Sequence, residues 1–412
     1  MRYGFWLPVF GGWLRNVEDE QMPPTWDYVR DLTINAEALG YDCTLIAELN
    51  LNDIKGPEAP SLDAWSTAAA LAAVTKKLEI MVAVRPTFHN PALLAKQAAN
   101  IDRISNGRLT LNVVSSWWRE EALKYGIAFD EHDDRYARTG EWIDVLDACW
   151  SHQHTTHTGR FYNVDDNVLS PKPLETRTYS GYAPPTPTDL PSRPERSAAE
   201  RPAFETPTSH PVPPREPGVA AGFSPRESTS TEPGFSPGPS SPDATTSGRP
   251  TLYAGGESET AKSLIAAKCD AYLMHGDDPN TIAAKVADMR ERRAKHPHLP
   301  PMTFGVTGYC IVRDTEAEAE REVARITDVQ QFAKGFENYQ QWITGSQLEK
   351  KISLRDYSVS NRGLQSGLVG TPEQVRQRIA DFEAAGCSLV LLQSSPQHTE
   401  MERFARQVMQ LR

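Results

Sequence analysis

The stretch Tyr253-Ala254-Gly255-Gly256-Glu257-Ser258 closes an apolar run with two glycines and opens a helical run on a serine. Bare backbone N–H groups at the start of a helix attract a phosphate, and a Ser hydroxyl there adds a donor. An ordinary tight turn with a capping serine has the same spelling, so residues 255–258 alone leave both readings open. Asn112 lies inside the apolar run Leu109–Ser115. Its amide either links strands or hydrogen-bonds a planar polar ligand. Arg362, in Asn361-Arg362-Gly363, is a solvated loop charge or an anion clamp on a mobile loop. His89 is a loop histidine or an acid–base group. Trp117 and Trp118 are core or the wall of an apolar pocket.

These residues fall at comparable places in a repeating rhythm. Apolar runs at Arg2–Val9, Tyr41–Glu48, Leu78–Arg85, Leu109–Ser115, Thr251–Ala254, Ala271–Met274, Thr303–Val312 and Ser388–Gln393 have the length and β-branched content of buried strands. Between them come helical patterns at Trp26–Leu39, Leu62–Val74, Pro91–Ile104, Asp133–Trp150, Ser258–Ala267, Asn280–Arg293, Thr315–Ile326 and Thr371–Ala385. Gly40 and Gly386 follow two of them as stops, and Pro91 and Pro372 sit in first turns. Eight buried strands, each followed by a helix, predict an α/β fold, a (β/α)8 TIM barrel. A doubly wound open sheet is the alternative, weakened because no G-x-G-x-x-G follows the first strand. In such a barrel, function collects at the C-terminal ends of the strands, where Glu48, His89, Asn112 and Ser258 lie.

One segment breaks the rhythm. Residues 175–250 hold 17 of the 32 prolines, with abundant Ser, Thr and Gly. That composition buries too little surface to offset the entropy of ordering it, so a disordered Pro-rich insertion is expected before strand five. The expected organisation is a first half-barrel at 1–174, the insertion at 175–250 and a second half-barrel at 251–412.

The chain has 412 residues, 43 basic and 54 acidic, a net charge of −11. The acidic balance argues against a nucleic-acid or anionic-membrane partner. No 18-residue apolar run predicts a spanning helix. Five widely spaced cysteines without a C-x-x-C pair suggest neither zinc nor disulfides and point to the reducing cytoplasm. His152, His154 and His157 form H-x-H-x-x-H, but they follow a helix and precede a hairpin, so a surface loop is expected and no metal is assigned.

Taken together the motifs resemble a known family. Ile101-Asp102-Arg103-Ile104-Ser105-Asn106-Gly107-Arg108, then Leu111–Ser115, Glu131–Tyr136, Tyr253–Ser258, Tyr357–Gly363 and Ser366–Pro372 are similar to the luciferase-like flavin monooxygenases, in particular the two-component enzymes of sulfones and sulfonates. The resemblance implies that Asn112, Glu121, Arg135, Tyr136 and Ser258 bind FMN, with Ala47 and Glu48 as a further contacting pair, and Ser258 on the phosphate. It implies Arg362 as a catalytic loop arginine; His89, from its own place after strand three, is an acid–base candidate or a loop histidine. It further implies FMNH2 from a separate NAD(P)H-dependent FMN reductase, O2, a small organosulfur substrate cleaved at C–S, and a homo-oligomer. Ser61 stands where the sulfonate enzymes carry a cysteine, and Gly308-Tyr309-Cys310 where they carry a histidine; both departures favour a neutral sulfone. A deazaflavin oxidoreductase on the same barrel, or a non-catalytic barrel with a Pro-rich docking insert, are the alternatives.

Overall fold

The computed structural model describes residues 1–175, 248–328, 336, 339–345 and 352–409. Eight parallel strands close into a barrel: β1 (Arg2–Leu7), β2 (Cys43–Ile46), β3 (Glu79–Val84), β4 (Leu109–Val113), β5 (Thr251–Ala254), β6 (Ala271–Met274), β7 (Thr303–Tyr309) and β8 (Leu389–Gln393). Each strand pairs with its sequence neighbours, and β1 pairs with β8 to complete the circle. The outer ring comprises α1 (Trp26–Ala38), α2 (Ala64–Val74), α3 (Pro91–Ile104), α4 (His132–Ser151), α5 (Glu259–Lys268), α6 (Pro279–Ala294), α7 (Glu316–Ile326), α8 (Pro372–Ala384) and α9 (Gln397–Phe404). The (β/α)8 expectation is met. The expected insertion at 175–250 falls almost wholly on residues outside those described. Among the described residues no helix is long and apolar enough to cross a membrane.

Helix starts follow the sequence. Thr25, Asp63, Asn90, Ser258, Asp278, Thr315 and Thr371 each accept a first-turn backbone N–H through the side chain, satisfying donors the helix cannot. Gly40 and Gly386 take φ of 83° and 102° just past α1 and α8, a conformation that costs a side chain dearly.

Alternation along the strands sorts side chains into two layers. Outward residues such as Phe5, Ile80, Val82 and Leu111 pack beneath the helices. Inward ones, among them Cys43, Leu45, Met81, Leu273 and Leu391, fill the barrel. At its floor Arg2 pairs with the fully buried Glu79, which also accepts a hydrogen bond from Thr110 Oγ1 at 2.7 Å. A buried carboxylate is tolerated there because both a cation and a hydroxyl serve it. Arg108, from the motif before β4, is buried with five hydrogen bonds to Ala72, Thr75, Leu78 and Ser105. This most recognisable stretch of the sequence is therefore framework that ties α2 and α3 to β4.

The run Thr303–Val312 is not one strand. β7 ends at Tyr309; Cys310 N donates to Gln393 O, while Ile311–Val312 turns away to pair in parallel with Val369–Gly370. Its partner lies nearly sixty residues downstream, so the apolar run carries no sign of the break.

Candidate active site

The inward residues at the strand ends leave a cavity of about 240 Å³ in the barrel mouth. Ala83, Asn112, Leu273 and Thr307 form its floor, with Gly255 at the edge. Its roof comes from two segments that hold each other. Leu14 and Val359 form an antiparallel bridge, Arg15 N donates to Ser358 O, and Ser360 N donates to Trp13 O. Trp6, Trp13 and Trp117 face inward from the walls. Trp117 stacks on the buried Trp118 with ring centroids 5.6 Å apart at 7°, which fixes the exposed face of the pair.

Of the predicted residues, Ala47, Glu48, Asn112 and Arg362 line this cavity. Asn112 is buried, and among the described residues its Oδ1 has no hydrogen-bond partner. Arg362 is no solvated loop charge: it is 2% exposed, sits at φ 55° in a 3-10 turn (Ser360–Ser366), and its Nε and Nη1 have no partner among the described residues. Its Nη2 pairs with Glu257.

Glu48 accepts from Trp65 Nε1 at 3.0 Å and Arg85 N at 2.8 Å, and its other close neighbour is His89 Nε2. His89 stands behind Glu48, off the cavity wall. Glu121 is also behind the wall: fully buried, it pairs with Arg85 and accepts from Asn50 N at 2.5 Å. Arg85, which reaches the cavity, is thus held between Glu48 and Glu121. Tyr136 and Ser258 come together elsewhere, at the β5–α5 turn, while Arg135, next to Tyr136 on α4, donates from Nη1 to Asp130 O at 2.8 Å. Ser258 caps α5, and the Tyr136 hydroxyl lies beside Gly256. Burial raises the Tyr136 phenol, against the pull of Ser258 and the Arg135 charge. Arg135 covers the Phe129 ring at 4.6 Å.

Sequence reasoning missed Arg15 and Asp53, and gave Tyr357 no role beyond its place in the motif Tyr357–Gly363. Arg15 pairs with Asp53 and lies 3.9 Å over the Tyr357 ring, and all three line the cavity. Arg15 follows β1, a strand end whose successor loop gave no motif; that position was the available signal. His154 and His157 of the histidine triplet pair with Asp166 and Glu141, respectively.

Glu257 carries a clear electrostatic signature. Burial pushes its carboxyl up, but His275, Arg362 and Lys285 outweigh burial and hold it at about 2. Lys285 Nζ lies 3.0 Å from Glu257 Oε1 and 3.6 Å from Asp277 Oδ2. The cavity's arginines are thus each matched: Arg15 by Asp53, Arg85 by Glu48 and Glu121, Arg362 by Glu257.

Residues 1–191 and 219–389 match the sequence profile of the family described as Luciferase-like monooxygenase. The chain belongs to the luciferase-like monooxygenase family. It is similar over its whole length to two proteins described as FMNH2-dependent dimethylsulfone monooxygenases. One, from Pseudomonas fluorescens (strain Pf0-1), is 28% identical with 94% of its length covered; the other, from Pseudomonas putida, is 27% identical with 95% covered. Among solved structures, DmoA from Hyphomicrobium sulfonivorans superposes at a TM-score of 0.68 with 14% identity, over all of this chain and 87% of that one. An F420-dependent secondary alcohol dehydrogenase superposes at 0.63 with 15% identity, over all of this chain and 99% of that one. The barrel is therefore common to proteins of different cofactors, and the structural likeness shows the fold alone. As a member of this family the chain is a flavin-dependent monooxygenase.

Proposed function

We propose that this chain is an FMNH2-dependent monooxygenase of a small, uncharged organosulfur compound, of which dimethyl sulfone is the type, and that it cleaves a C–S bond. The observation that carries the substrate class is the charge pairing of the cavity: every arginine on its wall already has a carboxylate. The likeness to two proteins described as dimethylsulfone monooxygenases supports the same class.

The residues fit FMN. An unpartnered, buried Asn112 Oδ1 facing the cavity suits a polar ring edge. The hydroxyls of Ser258 and Tyr136 at the start of α5 suit a phosphate. In this reading Ser258, Tyr136 and Arg135 hold the phosphate end, and Asn112, Ala47 and Glu48 face the ring. Glu121 and His89 hold Arg85 and Glu48 in place from behind. The chemistry that reduced FMN supplies when bound is activation of O2.

The protein's own contributions are exclusion and orientation. Trp6, Trp13 and Trp117 keep water from the reacting atoms. Arg362 presents Nε and Nη1 to the sulfone oxygens, orienting the substrate and stabilising charge that develops on sulfur's oxygens as the C–S bond breaks. For dimethyl sulfone the balance gives methanesulfinate and formaldehyde from one O2, with the second oxygen leaving as water. A separate NAD(P)H-dependent reductase supplies FMNH2. The test is FMNH2-dependent release of sulfinate or sulfite from a panel of sulfones and alkanesulfonates. Sulfinate from dimethyl sulfone is expected; turnover confined to sulfonates overturns the substrate class.

A further inference from the structure

Glu257 lies between the two glycines of the β5 turn and the serine that caps α5, inside a stretch whose other members have backbone or capping roles. Its side chain points the other way, under the roof of the cavity, and is 8% exposed. It meets Arg362 from the 3-10 turn and Lys285 from α6, while Asp277, from the segment after β6, shares Lys285. Two permanent cations thus face two carboxylates drawn from four separate parts of the chain. The arrangement is tightly built: a side chain at Gly276 would place Cβ 3.0 Å from Thr307 O and 3.1 Å from Arg362 O, so the Arg362 backbone rests directly on the β6 end.

The pairing uses only one edge of the Arg362 guanidinium. Nη2 goes to Glu257; Nε and Nη1 are buried and have no hydrogen-bond partner among the described residues, and the residue itself lines the cavity. A guanidinium presenting two donors to a cavity is the usual receptor for a sulfonate or carboxylate anion. Here the charge that would attract such an anion is already answered from behind, while the donors remain.

We infer that Glu257 is a specificity-determining residue that cancels the charge of Arg362 and keeps its donors, so that the cavity accepts neutral sulfones and rejects sulfonate anions. The inference deepens the proposed function and rests on that reading for the identity of the neutral ligand. A sulfone and a sulfonate have similar shape and differ chiefly by a full negative charge. Discrimination between them must therefore come from the net charge of the site rather than its volume.

The test measures binding of dimethyl sulfone and methanesulfonate through the fluorescence of the cavity tryptophans, with and without oxidised FMN, in the full chain and in two variants. Glu257→Gln keeps the hydrogen-bonding shape and removes the charge. Asp277→Asn removes the other carboxylate of the group and serves where the first variant does not fold. Expected is an increase of about tenfold or more in methanesulfonate affinity for Glu257→Gln, a smaller gain for Asp277→Asn, and little change for the sulfone. Adding Arg362→Gln to Glu257→Gln should abolish the gain. Folded variants that bind methanesulfonate no better than the parent overturn the inference, even if the parent turns over sulfones. A gain in anion binding in a protein that never releases sulfinate from any sulfone leaves the charge role standing and removes the substrate reading.

Discussion

His89 Nε2 lies 2.5 Å from Glu48 Oε1, and it is the carboxylate, not the imidazole, that reaches the cavity wall. An imidazole so placed orients Glu48 together with Trp65 Nε1 and Arg85 N. Replacing His89 by Ala leaves two of these donors. Turnover should fall by less than about tenfold with the shape of the pH–rate profile kept, whereas an acid–base group would take one limb of the profile with it. The profile of kcat/KM from pH 5 to 9, about the range in which a histidine titrates, decides between the two.

The hydroxyl pair at the β5–α5 turn separates cofactor affinity from stability. Tyr136→Phe removes a hydroxyl that caps nothing, so FMN binding should weaken by about 1 kcal/mol with the melting point unchanged. Ser258→Ala removes the same kind of ligand donor and the acceptor for Ala261 N, so it should also cost about 1 kcal/mol of stability. FMN titration and thermal melts of both variants are the measurement. Equal affinity in both variants and parent would place the phosphate elsewhere.

Trp117 forms one wall with Trp118 locked behind it. Trp117→Ala should admit water and lower the yield of oxidised substrate per FMNH2 consumed, with a matching rise in hydrogen peroxide. Simultaneous assay of sulfinate and peroxide reads the ratio.

Gly363 is sterically required. A Cβ there would sit 2.6 Å from Tyr309 Cβ and 2.7 Å from Tyr309 N, so the turn carrying Arg362 would have to lift. Gly363→Ala is expected to cost about 1–3 kcal/mol and to reduce kcat along with it. Denaturant unfolding and steady-state kinetics on the same preparation test the coupling.

Acid stability should carry the mark of Glu257. Its carboxyl is held at about 2, below the ordinary 4.5, against burial, by His275, Arg362 and Lys285. A depressed carboxylate stabilises the fold fully above its unfolded value, and that contribution is lost as pH falls from 4.5 toward 2. Urea midpoints across that window should therefore fall less steeply in Glu257→Gln than in the parent. Parallel curves would contradict the assignment.

The legible part of the molecule was the part governed by local rules. Pro91–Ile104, Thr251–Ala254 and Ala271–Met274 have the same bounds in the structure as in the sequence reading, because proline at a first turn and uninterrupted apolar runs between polar punctuation leave little choice. Asn112 was recognisable as a polar residue in a buried strand, and it does face the cavity. What escaped was decided by partners far away in sequence. The end of β7 depends on Leu368 and Gly370, the burial of Glu121 on Arg85, and the pairing of Arg15 on Asp53. The residues around Arg362 leave a loop charge and an anion clamp both open, because nothing near it in sequence announces Glu257, 105 positions earlier.

The small parallel pair Ile311–Val312 and Val369–Gly370 gives the long excursion between them a common doorway. Ile311 N donates to Leu368 O and Arg313 N to Gly370 O, so the chain leaves and rejoins the scaffold through neighbouring, hydrogen-bonded positions. A segment anchored in that way transmits little of its own length to the barrel, since closing a loop costs only slightly more as it grows. The turn that carries Arg362 is pinned again by the Leu14–Val359 bridge and by Glu257, so a change in the length of chain before it need not disturb the residues over the cavity.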